Sequence, residues 1–141
     1  MSTLNVDALV GVSSANAITV RGEGTATTSL QQGLAKMFCN FDGTVTNADE
    51  RDSFNVSSTD DDTTGEYGIN YTNNMANTNY AGIVVGKQDG AGNNNCVAGI
   101  GITSNSSPTL AASLEIIGTD PDAGSARYFE FVYATSLGDL A

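Results

Sequence analysis

From residue 35 onward the chain is a succession of short runs that alternate apolar and polar residues, each closed by a cluster of turn-forming residues. A period of two belongs to half-buried β-strands, whose successive side chains point to opposite faces. The runs are AKMFCNFD (35–42), DSFNVSST (52–59), EYGINYTN (66–73), YAGIVVG (80–86), NCVAGIGIT (95–103), LAASLEIIG (110–118) and ARYFEFVYA (126–134). GTVTNADER, DDDTTG, NNMANTN, KQDGAGNN and TDPDAGS lie between them. Such connections use Gly for positive φ, Asn and Asp for bonds to their own backbone, and Pro, here Pro121, to fix φ. Seven short strands at this spacing predict an all-β, antiparallel β-sandwich, jelly-roll-like.

Residues 1–34 read differently. AITV is strand-like, and Ser29 with Gln32 three residues on forms a capping box that opens a short helix near 29–36, through Leu30, Leu34 and Met37. Gly33 weakens it. The segment holds too few large apolar residues for a core of its own, so it is expected to be an extended arm, or to fold only against its own copies. The organisation expected is an arm, 1–34, followed by a β-domain, 35–141.

The chain of 141 residues carries a net charge of -11, and its five basic residues stand singly. That leaves no basic patch for phosphates, so nucleic acid and anionic lipid are poor partners; no nucleic-acid partner and no membrane insertion are expected. No apolar run approaches the roughly 20 residues that span a bilayer, and MSTLNVDALVGVSS lacks the basic start of a signal peptide. Synthesis in a cytoplasm is the expectation. Histidine is absent, which removes the usual general base of hydrolytic triads and the commonest nitrogen ligand of metals. GVSSANAITVRGEG and GKQDGAG match no phosphate-binding fingerprint. No catalytic residue, cofactor or metal is expected. Cys39 and Cys96 sit inside apolar runs and read as buried free thiols.

Two segments carry the remaining information. Asp60, Asp61 and Asp62 do not supply the oxygen register of an EF-hand loop, so they read as the solvated tip of a hairpin between DSFNVSST and EYGINYTN; a cation at that turn stays open. In the last run Arg127, Phe129, Phe131 and Tyr133 are expected on one face, and Tyr128, Glu130, Val132 and Ala134 on the other. A strand that is apolar on both faces is central, or it packs inward on one side and against another subunit on the other.

AKMFCNFDGT followed by RDSFNVSSTDDDTTGEYGINYTNNMANTNYAGIVVG resembles a module of tail-fibre and tail-fibre-like virion proteins of marine bacteriophages and cyanophages. MSTLNVDAL is similar to the leader that precedes it, so the likeness covers residues 1–10 and 30–86. Phe38 stands where the module has Trp, and extra aspartates enlarge its Asp-x-Gly turn. The resemblance implies a homotrimeric structural protein of the virion, assembled in the host cytoplasm and attached to another virion protein through the arm. The function expected is a tail fibre or fibre-tip adhesin for host attachment; the alternative is a capsid decoration, head-fibre or baseplate protein that binds no receptor.

Amide and carboxylate groups give sugars directional hydrogen bonds, which makes Lys87, Gln88, Asp89, Asn93 and Asn94 candidates for contact with a host-surface glycan or outer-membrane protein. Asp120 and Asp122 in the next polar loop join them. Trimer contact is expected at Leu30, Leu34, Met37, Phe129, Phe131 and Tyr133.

Overall fold

The structure, a computed structural model, describes residues 4–10, 18–21, 25–45, 48–88, 97–101, 107–120 and 124–141. The chain divides into two units, Met1–Leu34 and Ala35–Ala141. In the first, β1 (Thr19–Arg21) pairs antiparallel with β2 (Thr27–Ser29). The Ser29 hydroxyl accepts the Gln32 N–H at 3.4 Å and caps α1 (Leu30–Gly33). The helix stops after one turn because Leu34 is extended, so Met37, expected on it, lies instead in a strand. Ile18 and Leu30 are half-buried, and exposure of the unit's other described large apolar residues runs from 50% at Val20 to 79% at Leu4.

The second unit is all-β among its described residues, built from β3 (Ala35–Asp42), β4 (Asp49–Phe54), β5 (Val56–Thr63), β6 (Glu66–Tyr71), β7 (Ala81–Gln88), β8 (Val97–Ile100), β9 (Ser113–Asp120), β10 (Ser125–Ala126) and β11 (Phe129–Leu137). One antiparallel sheet has the order β4-β3-β11-β7. The other runs β10-β9-β6-β5, with β8 also on β9. Ile116 and Ile117 pair with both β6 and β8, so those two strands flank β9 on opposite sides. Among the described residues of this unit, sequence neighbours pair in four places, β3 with β4, β5 with β6, β8 with β9, and β9 with β10. Within each sheet the described strands pair antiparallel throughout, as expected of an all-β chain.

The run expected as one strand, 52–59, is two. Asn55 sits between β4 and β5 with φ 60, a left-handed conformation that Asn tolerates. Its Nδ2 donates to the Lys36 and Asn73 carbonyls at 2.9 and 3.0 Å, and its Oδ1 accepts the Asn73 N–H at 2.7 Å. This corner passes the chain from one sheet to the other. The three aspartates are consequently not a hairpin tip: Asp60–Asp62 lie within β5, and the turn is Thr64–Gly65, with Gly65 at φ 75. β5 ends its sheet, and carboxylates on an edge strand oppose pairing with foreign strands. Asp61 points inward opposite Tyr67, with its Oδ1 buried and lacking a hydrogen-bond partner.

The core takes Met37, Cys39, Phe41, Phe129 and Val132 from one sheet and Tyr67, Ile69, Tyr71, Leu114 and Ile116 from the other. Each such burial is worth about 1.5–3 kcal/mol. The Phe41 and Tyr67 rings meet edge-on at 5.3 Å. Phe129 occupies space left by two glycines: a Cβ on Gly118 or Gly86 would lie 2.0 or 2.6 Å from its ring. The core tyrosines satisfy their hydroxyls, Tyr67 by donating to the Gly43 carbonyl at 3.1 Å, and Tyr71 and Tyr80 through each other at 3.0 Å. Burial, with Glu50 and Asp52 nearby, pushes the free Cys39 thiol up to about 12, so it behaves as a small hydrophobe. Cys96 lies outside the described residues. Among the described residues, no helix is long and apolar enough to cross a membrane.

Candidate functional site

A β-bulge decides what the last strand shows to the outside. Phe129 pairs with Gln88 and Phe131 with Lys87, so Glu130 is an extra residue in β11. That insertion shifts the alternation by one. Phe129, Val132, Ala134 and Ser136 face the core, whereas Phe131, Tyr133 and Thr135 face out. The expected facing set, Arg127 with Phe129, Phe131 and Tyr133, is therefore split.

Strand register assembles the outer face of this sheet in rows. One row reads Phe54, Phe38, Thr135, Ile83 across β4, β3, β11 and β7. The next reads Asp52, Asn40, Tyr133, Val85. Phe38 is 40% exposed, Tyr133 46%, Phe54 52%, Ile83 53% and Val85 60%. The rings pair with their neighbours, Phe38 on Phe54 at 6.3 Å and Phe131 on Tyr133 at 6.5 Å, both stacked. Five large apolar side chains thus form one open patch.

Cations border it at one end. The Arg51 guanidinium lies 4.4 Å from the Phe131 ring centre and the Lys87 ammonium 5.4 Å. Arg51 is pinned there by Asp42 and by the Glu130 carbonyl, each at 2.7 Å. Burial would raise the Asp42 pKa, but hydrogen bonds from Thr44 and the Arg51 charge hold it below the ordinary carboxylate value. Asp49, paired with Asp42, and Asp52 place acid on the β4 edge, while Lys87 is the charged residue of β7. The arrangement has an apolar centre, a charged rim and opposite signs on its two edges.

No protein-family model, curated protein or solved structure matches the chain. The physical surface is therefore the ground for any functional reading.

The residues expected to meet a receptor fall in different places. Lys87 lies on the rim just described, and Gln88 ends β7. Asp120 ends β9 and pairs with Arg127 at 3.5 Å. Asp89, Asn93, Asn94 and Asp122 lie outside the described residues. The expected trimer contacts divide as well. Met37 and Phe129 are 0% and 1% exposed in the single chain, spent on its own core, and they have no surface to offer another copy. Tyr133 and Phe131 belong to the outer patch, Leu34 is exposed, and Leu30 opens α1.

Sequence reasoning missed Phe38, Ile83 and Val85, and its alternation put Phe54 on the core face with Val56, Tyr67, Ile69 and Tyr71, whereas Phe54 faces out at 52% exposure. The signal was present: Ile83, Val84 and Val85 make β7 apolar on both faces, and Phe38 stands out of phase with Met37, Cys39 and Phe41. Among the described residues, no group of three or more His, Cys, Asp or Glu side chains is placed to hold a metal ion.

Proposed function

We propose that this chain is a structural protein of a phage particle, a homotrimeric β-sandwich that serves as a tail fibre or fibre tip and attaches the particle to its host. The observation that carries the oligomeric part is the outer face of the β4-β3-β11-β7 sheet, with five large apolar residues 40–60% exposed. A contiguous patch of that kind marks an interaction surface. The unburied apolar residues of the arm, Leu4, Val6, Leu9 and Val10, support association in the same way. The resemblance of 30–86 to fibre modules supplies the particle and the host. Host contact falls to the polar segments bearing Asp89, Asn93, Asn94, Asp120 and Asp122, and the arm joins the particle.

Purified protein added before infection tests this directly. An adhesin blocks adsorption or labels host cells. Failure of both, combined with loss of particle heat resistance on deleting the gene, replaces the adhesin with a decoration protein.

A further inference from the structure

Resting on the homotrimer reading, we infer that three copies close into a ring in which the β7 edge of each lies beside the β4 edge of the next, with Phe38, Phe54, Ile83, Val85 and Tyr133 turned toward the three-fold axis. The occupant of the open face is therefore this chain itself.

Strand direction comes first. β4 runs antiparallel to β3, β3 to β11, and β11 to β7, so the two edge strands of the sheet run in opposite directions. Rotation about an axis along the strands preserves direction, and it places each β7 antiparallel to a neighbouring β4. The ring thereby removes both open edges of the sheet.

Charge gives the register. The edges differ in net sign, with Lys87 on β7 and Asp49, Glu50 and Asp52 on β4, whose one cation, Arg51, is taken up by Asp42 of β3. Lys87 is level with Phe131 and Asp49 with Asp42, and Asp42 follows Phe41, the partner of Val132 next to Phe131. The same rotation preserves height along the strands, so Lys87 of one copy meets Asp49 of the next. Ile83 likewise comes level with the next copy's Phe54, through the row they share with Phe38 and Thr135. Complementary edges of this kind fix which surfaces meet and in what register.

Area favours the ring over a pair of copies stacked face to face. At their exposures the five residues offer roughly 400–500 Å², against about 800 Å² per partner in a standard interface. A stacked pair has only that face. A ring adds two edge contacts per copy to it, which is how a modest patch supports a stable assembly. A single sign at both edges would have forbidden closure.

The test uses the full chain in solution. In a Cys96→Ser background, Ile83→Cys combined with Phe54→Cys is expected to give disulfide-linked trimers on a denaturing gel, and neither single substitution to do so. Light scattering of Lys87→Glu is expected to show at least a tenfold rise in the concentration needed for assembly, with Asp49→Lys restoring it in the double variant. Trimers that ignore Lys87→Glu and do not cross-link overturn the ring and leave the trimer standing on another surface. A compact wild-type monomer at every concentration overturns both, and the adsorption assay still judges the attachment role on its own.

Discussion

The two sheets of the β-domain turn opposite chemistry outward. Across β4-β3-β11-β7 the outer positions are Phe54, Phe38, Ile83, Val85 and Tyr133, whereas across β5, β6 and β9 they are Ser58 with Asn70 and Ser113, and Asp60 with Gly68 and Glu115. The acidic face satisfies itself: Asn70 donates to Ser58 at 3.0 Å and to Asp60, and Ser113 donates to Glu115 at 2.8 Å. Its edge strand, β5, carries Asp60, Asp61 and Asp62. A face that hydrogen-bonds within itself and ends in carboxylates is finished by one chain. The aromatic face is not. The difference is that one face is completed by polar contacts within the chain, whereas the other leaves five large apolar side chains open, the surface on which the proposed assembly rests.

The comparison breaks most visibly at two phenylalanines two residues apart. Phe129→Ala empties a site walled by Gly86 and Gly118, where the flanking backbone cannot collapse, and the expected loss is about 3–5 kcal/mol. Phe131→Ala removes a partly exposed ring from the outer face together with its contacts to Arg51 and Lys87, and about 0.5–1 kcal/mol of the chain's own stability. Urea unfolding of both variants checks this. Equal losses would mean that the outer face is core by another route.

The next effect lies at the corner that joins the faces. Asn55→Ala forfeits the bonds to the Lys36 carbonyl and to the Asn73 carbonyl and N–H, and strains a backbone at φ 60. The expected loss is about 1–3 kcal/mol. Asn55→Gly relieves the backbone alone, so its recovery measures how much of the corner is conformational and how much is hydrogen bonding.

Much of this architecture was legible in the sequence because burial writes a period of two. The run 35–42 coincides with β3, and Tyr67, Ile69 and Tyr71 cover the core as their alternation required. What escaped notice was every change of parity. One positive-φ residue at Asn55 turned one expected strand into two in different sheets, and one inserted residue at Glu130 put Phe129 and Phe131, expected on one face, on opposite faces. Neither event has a composition signature, since Asn also reads as polar strand surface and Glu as an outward residue. The open face was hidden for a further reason: it is a property of register, visible only once Phe54, Phe38 and Ile83 are placed on neighbouring strands. The triple aspartate misled by resembling turn chemistry, although its task in β5 is to guard an edge.

The smallest effect concerns acid on the self-satisfied face. Asp60 and Glu115 approach one another across Gly68, which has no side chain to separate them. Desolvation first, then the charges of Asp62 and Asp60, raise the Glu115 pKa above its ordinary 4.5 despite the Ser113 bond, and desolvation with Asp62 raises Asp61 above 3.8. A carboxyl that binds its proton more tightly when folded stabilises the fold as pH falls through the folded pKa, and that gain is lost as pH rises. Asp42 has the opposite sign: its contribution is present above 3.8 and lost below it. Stability is therefore expected to climb as pH drops from neutrality through 4.5, and to turn over only below 3.8, where the Asp42 contribution is lost. Glu115→Gln should raise the urea midpoint at neutral pH by the equivalent of about 0.5 kcal/mol, the scale of a like-charge cross-strand pair, and flatten the climb. An unchanged slope in that variant would assign the pH dependence to Asp61 and the guarded edge instead of the acidic face.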